Sequence, residues 1–104
     1  MSTRQAISAL YLLDEQVIEK VSKKYGISIE DIKSRKRTKG IASARHITIY
    51  IIRKMTDLSL PAIGRLLGRD HTTIMSSIET IENEMMQNTL FEIEINELMK
   101  EIKE

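Results

Sequence analysis

SLPAIGRLLGRDHTTIMSSIETIE, residues 59–82, decides how the chain folds. The spacing predicts two helices joined by a tight turn. Ser59 caps the first helix, and Pro61 is tolerated because first-turn N–H groups have no intrahelical partner. Ile63, Leu66 and Leu67 form one apolar face. Gly68 closes the helix where a Cβ would be penalised at positive φ. Asp70 then caps a second helix with its apolar stripe at Ile74, Ile78, Ile81 and Met85. Gly64, four residues before Gly68, provides a small residue where two helices must cross closely, as a helix-turn-helix requires.

An ordinary helical hairpin in a bundle would share much of this pattern. The face left free by the stripe argues for more. Arg69, Asp70, His71, Thr72, Thr73, Ser76 and Ser77 cluster on the first two turns, compact, hydrogen-bonding and mostly uncharged. A solvated helix usually shows Glu and Lys there. Compact donors and acceptors at a helix start suit the DNA major groove, and Asp70 can accept from a cytosine N4 amino group.

Charge is distributed unevenly along the 104 residues. The formal net charge is only +1. Residues 33–69, however, hold ten basic and one acidic side chain, whereas residues 70–104 hold two basic and nine acidic ones. Nine net positive charges ending at a helix-turn-helix call for a polyanion, since self-repulsion otherwise costs stability. The basic run KSRKRTKG, residues 33–40, lacks apolar periodicity and reads as a loop. It is either a solvated turn or an arm, with Lys36 and Lys39, that tracks phosphates or enters a minor groove.

Around this centre the remaining segments read as helices, so the expected fold is all-α, a small helical bundle containing a helix-turn-helix. Residues 3–13 form a short amphipathic helix with Ile7, Leu10 and Tyr11 on one side, a linker from something upstream. Asp14 caps a new helix carrying Val17, Ile18, Val21 and Tyr25, and Gly26 ends it. Ser28 followed by Asp31 resembles a capping box for one or two turns around Ile29 and Ile32. Residues 41–55 are apolar nearly all round and belong at the centre of the bundle. A last helix, residues 90–104, sets Phe91, Ile95, Leu98 and Ile102 inward and Glu92, Glu94, Glu97, Glu101 and Glu104 outward, solvated and away from DNA.

Several function classes are excluded. No cysteine is present, so neither a disulfide framework nor thiol chemistry is available, which fits a reducing cytoplasm. With two histidines and no cysteine, a metal site is not expected, and His46 reads as a partly buried or surface residue. No apolar run approaches the roughly 20 residues needed to span a bilayer, and no basic-then-apolar leader is seen. Phosphate-cradling loops and zinc-protease motifs are missing. Asp70 and His71 are adjacent and point about 100° apart on a helix, so they form no acid–base dyad. The chain is therefore expected to be a binding module, not an enzyme.

GRDHTT at residues 68–73, SLPAIG at 59–64 and SRKRTKGIASAR at 34–45 resemble the C-terminal DNA-binding domain (domain IV) of the DnaA family of bacterial chromosomal replication initiators. The resemblance spans residues 14–104 and implies an all-α domain that binds short asymmetric boxes in double-stranded DNA at a replication origin. It assigns Arg37 to the minor groove and Asp70, His71 and Thr72 to base edges in the major groove. It assigns Arg45, Arg53, Thr56, Leu60, Pro61, Arg69 and Thr73 to the phosphate backbone, with contacts of this kind setting register while base contacts specify. It also implies a cytoplasmic, nucleoid-associated protein that meets other initiator or replication regulatory proteins. The family's upstream ATPase domain, which binds ATP, has no counterpart in these residues, so no cofactor is expected here and the chain is expected to be an excised domain. Two other readings compete. A stand-alone or phage transcriptional repressor would use the same domain on a palindromic site. A protein-interaction module would work through the acidic last helix and leave the basic loop unexplained.

Overall fold

The structure, a computed structural model, describes residues 3–103, with side chains from Leu13 onward. Six α-helices follow one another among these residues: α1 (Thr3–Tyr25), α2 (Ile29–Lys33), α3 (Lys39–Met55), α4 (Leu60–Leu67), α5 (His71–Gln87) and α6 (Thr89–Lys103). The fold is all-α. None of these helices is long and apolar enough to cross a membrane.

α3 packs against each of the other five helices. Its sequence explains why. Ile47, Ile49, Tyr50, Ile51 and Ile52 point in different directions, and all are buried. Such a helix has no solvent side to spare and is stable only when wrapped. Val17, Ile18 and Val21 of α1, Ile32 of α2, Ile63 and Leu67 of α4, Ile74 and Ile81 of α5, and Ile95, Leu98 and Ile102 of α6 complete one core. The core is almost wholly aliphatic, filled by branched side chains with few rotamers.

The local signals at the helix ends are used as their chemistry suggests. Ser28 Oγ accepts from the Asp31 N–H at 3.0 Å, and Ser59 Oγ from the Ala62 N–H at 3.2 Å. Gly26 and Gly68 sit at φ 65° and 66°, the left-handed region that favours glycine at a helix end. A single residue, Asn88, joins α5 to α6, and its Oδ1 accepts from the Phe91 N–H at 3.1 Å.

Three features differ from the sequence expectation. α1 runs unbroken from Thr3 to Tyr25, so Asp14 lies inside a helix and caps nothing. No Gly or Pro interrupts this stretch, and an Asp in a helix interior costs only a fraction of a kcal/mol. The expected stripe of Ile7, Leu10 and Tyr11 lies outside the described side chains. Helix α3 begins at Lys39, not at residue 41, so Lys39 and Gly40 form its first turn and shorten the basic loop. Glu94, expected on the solvated face of α6, is half-buried and accepts from the Tyr25 hydroxyl, which ties the end of α1 to α6. Burial and this carboxylate push the Tyr25 phenol far up, so it remains a donor. The Glu104 side chain lies outside the described residues.

Candidate nucleic-acid interface

The turn between α4 and α5 is closed by one carbonyl. The N–H groups of Gly68 and Arg69 both donate to the Gly64 oxygen, the second at 2.7 Å. The chain therefore folds directly back over Gly64. A Cβ built there would collide with the Arg69 carbonyl oxygen. Glycine is needed at position 64 because backbone passes where a side chain would stand. Asp70 then caps α5, its Oδ1 accepting from the Thr73 N–H at 2.8 Å. This bond is the main reason the Asp70 carboxyl is held below the usual carboxylate range.

Once α5 is aimed by this turn, Ile74 and Ile81 face the core while His71, Thr72, Thr73, Met75 and Ser76 are exposed. Ser77 departs from the sequence expectation. It is 2% exposed and its Oγ lies 2.7 Å from Nδ1 of His46 on α3. Three residues after Ile74, it falls on the packed side of the helix, and the histidine satisfies it there.

The basic loop, residues 34–38, is anchored from behind by two arginines. Arg45 is only 5% exposed. Its Nε donates to the Ile32 carbonyl at 2.8 Å, and its Nη2 donates to the carbonyls of Asp31 (3.2 Å) and Lys36 (3.0 Å). Arg69 is half-buried; its Nη1 donates to the Leu67 carbonyl at 3.1 Å and its Nη2 to the Ser34 carbonyl at 2.6 Å. One side chain thus ties the helix-turn-helix to the loop. Arg45 also supports the loop: Nε and Nη2 hold backbone carbonyls, while the residue lines the same cavity as Arg37. A basic run read from sequence does not tell a buried guanidinium from an exposed one.

The other expected site residues lie as follows. Arg37 and Lys39 are exposed. Lys36 is exposed and its Nζ is 2.9 Å from an Asp31 carboxylate oxygen. Arg53 is exposed at the end of α3 and donates to the Leu58 carbonyl at 3.0 Å, bracing the link to α4. Thr56 Oγ1 donates to the Ile52 carbonyl and accepts from the Leu58 N–H in that same link. Leu60 is half-buried and Pro61 exposed on the first turn of α4.

Between loop and helix start lies a cavity of about 650 Å³. Arg35, Arg37, Arg45 and Arg69 line it, with His46 and Ser77 from the α3–α5 contact and Asp70 as its carboxylate. The charges there feel one another. The Arg69 guanidinium is pushed down by burial, then by Arg35 and Arg37; that of Arg45 by burial, then by Arg69. A concentration of cations around a concave surface is an anion site. Arg35 is not singled out from sequence, and His46 reads there only as a partly buried or surface residue. Arg35 shares an extended stretch with Arg37, two residues on, which is a readable signal; the pairing of His46 with Ser77, 31 residues apart, is not. Among the described residues no group of three or more His, Cys, Asp or Glu could hold a metal ion.

The close crossing at Gly64 and the capped start at Asp70 make this a helix-turn-helix protein. A family profile described as "Bacterial dnaA protein helix-turn-helix" matches residues 15–81, and the chain belongs to that family. Among its relatives is a protein of Thermoanaerobacter sp. (strain X514) named chromosomal replication initiator protein DnaA, 52% identical over 85 residues. That match covers 82% of this chain and 19% of the relative. The protein of the same name from Streptococcus mutans serotype c is 40% identical over 90 residues, covering 86% and 20%. A solved structure described as a crystal structure of a DNA replication initiation factor superposes with a TM-score of 0.81 at 34% identity, over 95% of this chain and 30% of that one. The chain thus spans about a fifth of the length of the curated relatives it matches.

Proposed function

We propose that this chain is a sequence-specific double-stranded DNA-binding domain serving initiation and regulation of bacterial chromosomal replication. The start of α5 enters the major groove, where Asp70, His71 and Thr72 meet base edges. Arg37, on the neighbouring loop, enters the adjacent minor groove. Lys36, Lys39, Arg53, Thr56, Leu60, Pro61, Arg69 and Thr73 flank these readers and set register on the phosphates. Arg45 joins these phosphate contacts and, through Nε and Nη2, holds the loop that carries Arg37. The DNA-binding unit comprises residues 14–104, entered through the continuous helix α1; it works without a cofactor of its own and is cytoplasmic and nucleoid-associated.

One observation carries this reading: Arg37 of the loop and Asp70 and Thr73 of the helix start line one cavity, so the two elements share a face. A duplex whose grooves alternate along one side can engage both at once. Selection of duplexes from a random pool tests it, with binding of the winners measured against salt. A single asymmetric site with a steep salt dependence is expected. A palindromic winner bound by two chains would instead favour the repressor reading, and enrichment of nothing would end both.

A further inference from the structure

We propose that His46 is a further DNA-binding residue, seating one backbone phosphate in the cavity between the basic loop and the start of α5 and holding it as an imidazolium. This rests on the DNA-binding reading above and deepens it.

The geometry is specific. Arg45 and Arg69 line the cavity from behind and direct five hydrogen bonds at backbone carbonyls, which fixes where both guanidiniums stand. The Asp70 carboxylate is turned to the Thr73 amide. Among the described residues Arg35 and Arg37 have no hydrogen-bond partner, and they close the outer side. His46 stands on the inner side, its ring fixed by the 2.7 Å contact between Nδ1 and Ser77 Oγ. An imidazole held at one nitrogen by a buried hydroxyl has its other nitrogen free to serve a ligand. A phosphodiester oxygen is such a ligand, and two free guanidiniums opposite suit its charge.

The same surroundings control the proton. Arg45 on its own helix, Arg35 and Arg37 on the loop, and Arg69 with Asp70 on the turn surround His46, while α5 presents the neutral Thr73 and Ser77. In the free protein, burial first, then Arg45 and Arg69, hold the imidazole below its ordinary value, so it is neutral near pH 7. An anion at the free ring nitrogen offsets part of that field and accepts a hydrogen bond from the charged ring, so it favours the imidazolium. Binding then takes up a proton at His46, and affinity falls as pH rises between the free and bound titration ranges, by up to about tenfold per pH unit.

The test uses the whole chain and the duplex selected above, with Kd measured by fluorescence anisotropy from about pH 6 to about pH 8 at fixed ionic strength. The chain has two histidines, so His46→Gln leaves His71 as the other imidazole. Wild type is expected to weaken several-fold across this range and His46→Gln to lose most of that slope. Equal slopes in two proteins that both bind would overturn the proposal and leave the DNA-binding reading standing. Failure of wild type to bind any duplex would overturn both. A second measurement covers a variant that does not fold: an NMR titration of the His46 ring in wild type, free and bound. Its pKa is expected to rise on adding duplex, and an unchanged or lower value would overturn the proposal.

Discussion

The two ends of α5 share one apolar stripe and present different chemistry to solvent. Ile74 and Ile81 are buried along its length, so packing treats the helix as one object. Its first two turns expose His71, Thr72, Met75 and Ser76, beside a cavity lined by four arginines. Its last turns expose Glu79, Glu82, Glu84 and Met86. The stripe fixes where the helix lies, and the outer face fixes what each end can touch. A duplex is attracted to one end and repelled by the other, which orients the domain before any base is read.

The sharpest way to break this contrast is to misplace the first end. Gly64→Ala drives a Cβ into the Arg69 carbonyl and is expected to cost about 3 kcal/mol of stability, read by denaturant unfolding, together with loss of selective DNA binding. Arg45→Met follows. It withdraws the guanidinium from three carbonyls of the α2–loop segment, of which only that of Asp31 keeps other donors, and is expected to cost about 2 kcal/mol, with weaker DNA binding because the loop is no longer held. Arg37→Ala and His71→Ala should show the opposite balance: about 1–3 kcal/mol lost on the selected site, by anisotropy, with the unfolding midpoint unmoved. Asp70→Ala removes the cap and is expected to lower the denaturant midpoint by less than Arg45→Met does. Acid should do the same by stages. The folded carboxyl lies below the usual range, so its contribution is complete above the unfolded value and is lost as pH falls through the folded one. Smallest of all, Glu82→Gln and Glu84→Gln at the far end should change stability by less than about 0.5 kcal/mol. If they weakened binding as Arg37→Ala does, the contrast between the two ends would be wrong.

Much of the turn was legible because its causes are local. A glycine at the crossing, a glycine at positive φ, and a serine and an aspartate at helix starts each act within a few residues. The aliphatic stripes were legible for the same reason: burial repeats with the helical period. What escaped the sequence depends on contacts between distant segments. Ser77 belongs to the polar set by type but is buried because α3 brings His46 to it. Arg45 resembles the other basic residues of 33–69 but is buried, with three hydrogen bonds to carbonyls that α2 and the loop deliver. Glu94 reads as one more acid on an acidic helix until Tyr25, 69 residues earlier, reaches it. Of the site, the identity of the two reading elements could be seen; the support behind them could not.

The Arg69 bond to the Ser34 carbonyl has a thermodynamic corollary. It links the hinge of one reading element to the base of the other inside the free molecule, so their mutual angle is set before a target is met. Little conformational freedom then remains to be lost on complex formation. The heat-capacity change measured by calorimetry should match desolvation of the contact surface alone, without the excess that accompanies a loop that orders on its target.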